Sequence, residues 1–235
     1  MPKTLVIIPS YNERENIASL IDALLALPFD LEVLVVDDGT DGTAEIVASK
    51  GEKEPRVHCI WRGGKGGRGS AVLDGFRFAR THNFDRIVEM DADFSHDPRE
   101  LSRLLEKAGD DVLVIGSRYL PGSSIRNWPL SRRVFSKCAN FYANAVLQIG
   151  ISDYTNGYRV YGKTALAKLD MDTIRSSGYI VLSEIAYQLF REGVSFREVP
   201  TTFVNRQRGA SNFSLREARD AFTSVLRIRF QSERR

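Results

Sequence analysis

Asp91 and Asp93 close a short apolar run, Arg86-Ile-Val-Glu-Met-Asp-Ala-Asp-Phe94. A buried strand ending in closely spaced carboxylates carries hard, anionic oxygens to the rim of a sheet, where a divalent cation and a diphosphate can meet. That is a nucleotide-sugar site in outline. In a surface loop the same triplet is an ordinary solvated turn, so its place at a strand end carries the argument. Two further runs end in polar clusters, Pro9-Ser-Tyr-Asn-Glu13 and Asp37-Asp-Gly-Thr-Asp-Gly-Thr43. Tyr11 is suited to lie against a base, and Glu13 or Asp38 to accept from a base or a ribose hydroxyl, since one carboxylate takes two donors. Asp41 and Thr43 read instead as turn and helix caps.

A glycine-rich stretch, Arg62-Gly-Gly-Lys-Gly-Gly-Arg-Gly-Ser70, precedes a helix expected over residues 71–80. It is either a loop that brings amides and cations to phosphate or simply a flexible turn. It is no Walker A loop. Gly-x-Gly-x-x-Gly also fits poorly, because no acidic ribose partner stands at the expected distance.

The elements that position these residues follow from periodicity. Apolar runs at 4–8, 33–36, 57–61, 87–90 and 112–115 alternate with helical patterns, which predicts a Rossmann-like, largely parallel sheet. Asn12 reads as an N-cap with Glu15 three residues on, followed by Ile17, Leu20, Ile21, Leu24 and Leu25 on one face and a stop at Pro28. Asp97-Pro98-Arg99-Glu100 supplies a cap, a proline at the first helical position and an acid before Leu101, Leu104 and Leu105. Strand and cap thus hold the loop from Asp91 to His96 at both ends.

The chain of 235 residues suits one domain, 1–235, and its net charge of +3 suits phosphate-rich ligands or an anionic membrane without implying nucleic acid. Cys59 and Cys138 lack metal-ligand spacing and read as inert thiols of a reducing compartment. No signal peptide opens the chain and no run approaches the ~18 apolar residues that span a bilayer, so any membrane contact is expected to be peripheral.

The ordered motifs Pro9-Ser-Tyr-Asn-Glu-Arg-Glu-Asn16, Val36-Asp-Asp-Gly-Thr-Asp-Gly-Thr43, Asp91-Ala-Asp-Phe-Ser-His96 and Gly116-Ser-Arg-Tyr119 come first. Trp128 with Arg132, Ser136 and Ala139-Asn140 follows, then Ser152-Asp-Tyr-Thr-Asn-Gly-Tyr-Arg159, and Phe203-Val-Asn-Arg206 with Gly209 and Ser211. Together they resemble the family 2 glycosyltransferases, and within them the dolichol-phosphate (polyprenol-phosphate) mannosyltransferases, over nearly the whole chain.

The resemblance implies an α/β, Rossmann-like GT-A fold with a mostly parallel central sheet flanked by helices. It implies donor binding by Pro9, Tyr11, Glu13, Val36, Asp38, Asp91, Ala92, Asp93, Arg118, Arg206 and Asn212. Mg2+ or Mn2+ would be held by Asp91, Asp93 and Ser95, and Arg118, Arg132 and Ser136 would receive the acceptor phosphate, with Asp91, Asp93 and Arg118 central to catalysis. The implied reaction moves mannose from GDP-mannose to a polyprenyl or dolichyl monophosphate in a membrane. Two positions depart from the family pattern: Ser95 stands where many members have Gln, and Asn212 where a Lys usually follows the Ser. The first makes a direct metal ligand a water-mediated one, and the second removes a cation that Lys65 or Arg206 would replace.

Such a reaction needs no strong general base, because an anionic phosphate oxygen has little proton to lose, and its attack from the face opposite the leaving group inverts configuration. His58, His82 and His96 are accordingly given no proton-transfer role; His96 either supports its loop or contacts the site. UDP-glucose is the alternative donor, and a non-catalytic nucleotide-binding membrane adaptor the alternative class. A glycoside hydrolase would need a protonated carboxylic acid that the sequence does not offer. On the acceptor side, Val134, Phe135, Cys138, Phe141, Tyr142, Ala145 and Val146 recur at helical spacing after Arg132 and Arg133, an interfacial helix or a core one. A basic amphipathic segment over about 214–235 sets Ala218, Phe222, Val225 and Leu226 among arginines, to lie on a membrane or pack on the sheet. The chain resembles compact synthases without an anchor of their own, placed at the cytoplasmic face of a membrane by adsorption or by a partner subunit.

Overall fold

Alternation of side chains decides the layers. In β1 (Thr4–Ser10), Leu5 and Ile7 enter one hydrophobic cluster while Val6 and Ile8 enter another. The strand is therefore covered on both faces, as a parallel sheet requires. A computed structural model describes residues 2–64, 66–205 and 215–231, with side chains from 222 to 230 in the last stretch. The chain continues through α1 (Ile17–Leu25), β2 (Leu31–Asp37), α2 (Thr43–Gly51), β3 (Val57–Trp61), α3 (Arg68–Thr81) and β4 (Arg86–Glu89). A 3-10 turn at Pro98–Glu100 leads into α4 (Leu101–Glu106), then β5 (Val112–Ser117), β6 (Ser124–Arg126), α5 (Leu130–Leu147) and β7 (Arg159–Gly162). α6 (Lys163–Ala167), α7 (Ile180–Arg191), β8 (Ser195–Pro200), β9 (Thr202–Val204) and α8 (Leu215–Gln231) follow.

The seven-stranded sheet has the order β3-β2-β1-β4-β7-β5-β8, while β6 and β9 form a separate parallel pair. Every adjacent pair in the large sheet is parallel except those made by β7, which runs against both β4 and β5. Because β7 is reversed, the loop that enters it, from Asp153 to Gly157, lies at the same edge as the carboxyl ends of its neighbours. All five expected strands are present.

Asn12 does not cap α1. It sits at φ 58°, and its Oδ1 accepts from the Thr40 N–H at 2.9 Å, so the side chain ties the loop after β1 to the loop after β2. The helix begins five residues later, where the Glu13 carbonyl accepts from the Ile17 N–H at 3.0 Å. Asp97 does cap its turn, accepting from the Arg99 N–H at 2.9 Å, with Pro98 at the first position. Helix α3 starts at Arg68 rather than Ala71, so the last glycine-rich turn is already helical.

Helix α5 buries Asn140, Ala143 and Leu147, and Tyr142 and Val146 pack partly against the core. Its remaining face turns outward: Leu130 is 76% exposed and Phe141 78%, and Val134, Cys138 and Ala145 are exposed too. A core reading therefore fails for Val134, Cys138, Phe141 and Ala145, because only one stripe of the helix meets the sheet. Helix α8 docks through Val225 and Ile228, sets Phe222 at a tilt against Tyr142 and donates from Arg229 to the Tyr187 hydroxyl at 2.6 Å, while Leu226 and Phe230 stay exposed. Among the described residues no helix is long and apolar enough to cross a membrane.

Arg159, at the start of β7, is wholly buried, and its guanidinium donates to the carbonyls of Asn156 (2.9 Å), Leu182 (2.7 Å) and Tyr154 (2.8 Å). It thereby joins the loop entering β7 to helix α7. Arg159→Leu removes three buried charge-assisted hydrogen bonds that join these segments and is expected to cost about 3 kcal/mol or more. A urea titration checks this: the midpoint drops with the slope preserved, whereas an unchanged midpoint rules out the joining role.

Candidate active site

Register brings the acids together. Ser10 lies opposite Asp37 across the β1–β2 pair and Ile7 opposite Glu89 across β1–β4. The residues that follow, Tyr11, Asp38 and Asp91, therefore emerge at one edge, and reversed β7 adds Asp153 beside the end of β5.

Asp91 is paired. Its Oδ1 accepts from Arg68 Nε (3.1 Å) and Nη2 (2.9 Å), while Arg68 Nη1 lies 2.7 Å from Oε1 of the wholly buried Glu89, off line for a hydrogen bond. Burial alone would raise the Asp91 pKa, but the Arg68 guanidinium outweighs it and holds the carboxyl below its ordinary value. A Cβ on Gly157 would collide with Arg68 Nη2, so this glycine keeps the path open between α3 and Asp91.

Asp93 is held differently. Oδ1 accepts from the Ser95 N–H at 3.0 Å, and Oδ2 has no hydrogen bond among the described residues. Phe94, between them, adopts φ 57°, a strained left-handed conformation for a bulky residue. His96 fixes the turn from below: Nδ1 accepts from the Asp91 N–H (3.2 Å), so Nε2 carries the proton and donates to Asn156 Oδ1 (2.9 Å). Asn156 in turn donates to the Gly116 carbonyl, and the imidazole stacks on Tyr158. His96 is thus a support of the loop. Among the described residues no three His, Cys, Asp or Glu side chains converge on a metal position. One carboxylate oxygen, on Asp93, fits a divalent ion whose other ligands are diphosphate and water, the usual habit of Mg2+.

At the end of β5, Arg118 donates from Nε to Asp153 Oδ2 (2.7 Å) and from Nη2 to Asp153 Oδ1 (2.7 Å) and Thr155 Oγ1 (2.8 Å). Burial opposes both charges, yet the pairing prevails: Asp153 lies below the ordinary carboxylate value and Arg118 above its own. The guanidinium also lies within 5.7 Å of the ring centroids of Tyr119, Trp128 and Phe203. Arg132 stands 4.2 Å over Trp128, and the Tyr119 hydroxyl donates to Ser136 Oγ at 2.6 Å. Arg118 and Arg132 of the expected trio therefore both lie on Trp128, whose buried Nε1 has no acceptor among the described residues, and Ser136 joins them through Tyr119. The charge of Asp91 reaches Arg118, which ties the two ends of the site together.

Asp38 is buried and fully engaged: Arg62 donates from Nε and Nη2, and the Gly66 and Gly67 amides donate as well. The glycine-rich stretch thus turns two of its amides toward a carboxylate, and no phosphate contact is needed to explain them. Tyr11 is about half exposed, and Glu13 accepts from Asn16 Nδ2 at 2.8 Å. Val36 and Ala92 are buried in the core, so a donor could meet them only through the main chain, and Pro9 lies beside Val36 in register. Arg206, Asn212 and Lys65 lie outside the described residues. Sequence reasoning missed Arg62, Arg68, Asp153 and Asn156. The signal was there: an acid inside the apolar run Ile87-Val-Glu-Met90 demands a buried cation.

A mostly parallel sheet with one reversed strand, acids at its carboxyl edge and an arginine–tryptophan cluster beside them is the layout expected above of a GT-A glycosyltransferase. Residues 5–170 match the family model described as "Glycosyl transferase family 2". The chain is 44% identical over 227 residues to a polyprenol monophosphomannose synthase of Mycolicibacterium smegmatis, covering 95% of this chain and 85% of that protein. It is 39% identical over 226 residues to an undecaprenyl-phosphate mannosyltransferase of Micrococcus luteus, covering 96% and 93%. The chain belongs to glycosyl transferase family 2.

Among solved structures, glucosyl-3-phosphoglycerate synthase from Mycobacterium tuberculosis, in complex with Mn2+, UDP and glucosyl-3-phosphoglycerate, superposes with a TM-score of 0.70 at 20% identity. The match covers 97% of this chain and 80% of that one. Mannosyl-3-phosphoglycerate synthase from Rubrobacter xylanophilus gives 0.67 at 19%, covering 97% and 72%. These likenesses are of fold.

A depressed carboxylate stabilises the folded state above its unfolded pKa and loses that contribution as pH falls through the folded value. Arg118→Met leaves buried Asp153 uncompensated and is expected to cost about 3–5 kcal/mol near neutral pH. The gap to the parent protein narrows as pH falls from the ordinary carboxylate value of about 4 toward the lower value Asp153 has in the fold, where the parent's carboxyl becomes protonated as well. Urea midpoints taken across that range decide it; a gap independent of pH contradicts the pairing.

Proposed function

We propose that the protein is an inverting mannosyltransferase that uses GDP-mannose and a polyprenyl monophosphate to make polyprenyl phosphate mannose. The observation that carries this reading is one edge with two chemically distinct ends: the available carboxylate oxygen of Asp93 after β4, and the cations Arg118 and Arg132 around Trp128 beside an exposed apolar helix. The family relatives, one named for polyprenol and one for undecaprenyl phosphate, support the same acceptor class.

Asp38, at the end of β2, takes the base, with Tyr11 as its stacking surface and Glu13 at the ribose. Asp93 would share a Mg2+ or Mn2+ with the diphosphate; bound there, such an ion supplies positive charge against the departing GDP. Arg118 and Arg132 bind the acceptor phosphate, with the Ser136 hydroxyl turned toward it. Asp153 aims the Arg118 guanidinium, and the aromatic wall keeps water from weakening it. A phosphate oxygen of the acceptor attacks the anomeric carbon, the bond from that carbon to the diphosphate oxygen breaks, and GDP leaves with the electron pair. Because the attacking and leaving groups lie on opposite faces, configuration inverts.

The outward face of α5, with Leu130, Val134 and Phe141 beside Arg133 and Lys137, and the α8 residues Leu226, Phe230 and Arg227 suit the surface of a lipid leaflet. The free thiols of Cys59 and Cys138 suit the cytoplasmic side.

Purified protein incubated with labelled GDP-mannose or UDP-glucose, a short polyprenyl phosphate and Mg2+ or Mn2+ tests the reading. Lipid-linked mannose is expected from GDP-mannose; product from UDP-glucose alone overturns the donor, and hydrolysis without lipid product overturns the acceptor. Asp93→Ala is expected to lower kcat by a factor of about 100 or more. Arg132→Ala is expected to raise KM for the lipid more than for the donor.

A further inference from the structure

Asp38 is the carboxylate assigned above to the base, and it has nothing left to offer one. Oδ1 accepts from Arg62 Nε at 2.6 Å; Oδ2 accepts from Arg62 Nη2 at 2.6 Å, from the Gly66 N–H at 2.9 Å and from the Gly67 N–H at 2.9 Å. The side chain is 4% exposed and Arg62 covers it. Gly66 shapes this cover, since a Cβ there would stand 2.9 Å from Arg62 Nη2 and 3.0 Å from Cζ.

The geometry of the cover is specific. Nε–H and Nη2–H are parallel donors on two nitrogens joined through one carbon, which meet both oxygens of the carboxylate at once. The N1–H and N2–H of guanine form the same fork, again on two nitrogens joined through one carbon. Uracil offers one N–H between two carbonyls and adenine one N–H beside a ring acceptor, so neither can replace both bonds. The flanks suit a base as well. In the sheet order β3-β2-β1 the end of β2 lies between those of β3 and β1, which bring the exposed rings of Trp61 and Tyr11 to either side of Asp38.

Arg62 also has somewhere to go. Its Nη1 already donates to Ser70 Oγ at 2.7 Å and to Asp74 Oδ2 at 3.1 Å, and Asp74 is a partly exposed acid on α3. A guanidinium leaving Asp38 therefore keeps a carboxylate partner, and no unpaired buried charge results.

We infer that Arg62 is an internal stand-in for guanine: its fork holds Asp38, and the base of the donor takes over that carboxylate while Arg62 remains with Asp74 and Ser70. Arg62 is thus a specificity-determining residue. Any nucleotide must first match two charge-assisted hydrogen bonds, and only a base with the same fork replaces both. The inference rests on the donor reading given above, in which Asp38 meets the base.

Calorimetric titration of the whole protein with GDP, and with inosine diphosphate, which lacks the 2-amino group, separates the two claims. If Asp38 reads the base, GDP binds at least about tenfold more tightly than inosine diphosphate, and Asp38→Asn removes most of that difference. Equal binding of the two nucleotides by the parent protein takes Asp38 out of base recognition and ends the donor reading at this position. If Arg62 competes for Asp38, Arg62→Met tightens GDP binding by about tenfold, and Arg62→Lys, which keeps a charge but loses the fork, tightens it less. Asp74→Asn, which removes the alternative partner, weakens it. A clamp that only braces the loop makes Arg62→Met weaken GDP binding or leave it unchanged, and either result overturns the inference even where GDP remains preferred. Thermal unfolding of each variant checks that it is folded; should Arg62→Met not fold, the Arg62→Lys and Asp74→Asn pair decides by the opposite signs of their effects.

Discussion

Acids that crowd one sheet edge have to be neutralised, and the rest of the structure follows from how this is done. Asp38, Glu89, Asp91 and Asp153 are buried or nearly so, and left unpaired each would cost several kcal/mol. The chain answers with three arginines: Arg62 on Asp38, Arg68 between Asp91 and Glu89, and Arg118 on Asp153. Two of these come from the glycine-rich stretch, which explains why it is both flexible in composition and basic. Asp93 is left with one oxygen without a hydrogen bond among the described residues. The proposed divalent ion would meet that oxygen.

The arginines are not equivalent. Arg118 is locked by two bonds to one carboxylate, a threonine hydroxyl and three aromatic rings, so it presents a fixed direction of charge. Such rigidity suits a group that must meet a phosphate without reorganising. Arg62 divides its donors between Asp38 and Asp74 and is poised between them. Arg159 has no carboxylate within bonding distance among the described residues and donates to three carbonyls, which makes it a structural joint of the reversed strand.

The sheet was legible in the sequence because its strands are short apolar runs bounded by polar turns, and buried parallel strands have no other way to look. The acids were legible for the same reason: Asp38 and Asp91 interrupt hydrophobic stretches where only a bonded carboxylate survives. Their partners were harder to see. Arg62 and Arg68 lie 24 and 23 residues from Asp38 and Asp91 and look like ordinary charges of a loop. Asn12 has the composition of a cap, but cross-loop bonding to Thr40 outcompetes that local role. For the apolar residues of α5 the helical repeat was clear, whereas the face that meets the sheet depends on tertiary packing that no local pattern encodes.

The reversal of β7 has a consequence for how the chain assembles. β3, β2, β1 and β4 come from the first 89 residues and pair with one another, while the strand that closes the open side of β4 begins only at Arg159. During synthesis the backbone of β4 therefore waits with one row of amides and carbonyls unsatisfied until some seventy more residues have emerged. A bare edge of that kind invites pairing with another nascent chain, so slow translation or crowding between residues 89 and 162 is where misassembly would start. The loop that brings Asp153 to the carboxyl edge thus also leads in the strand that covers the open side of β4.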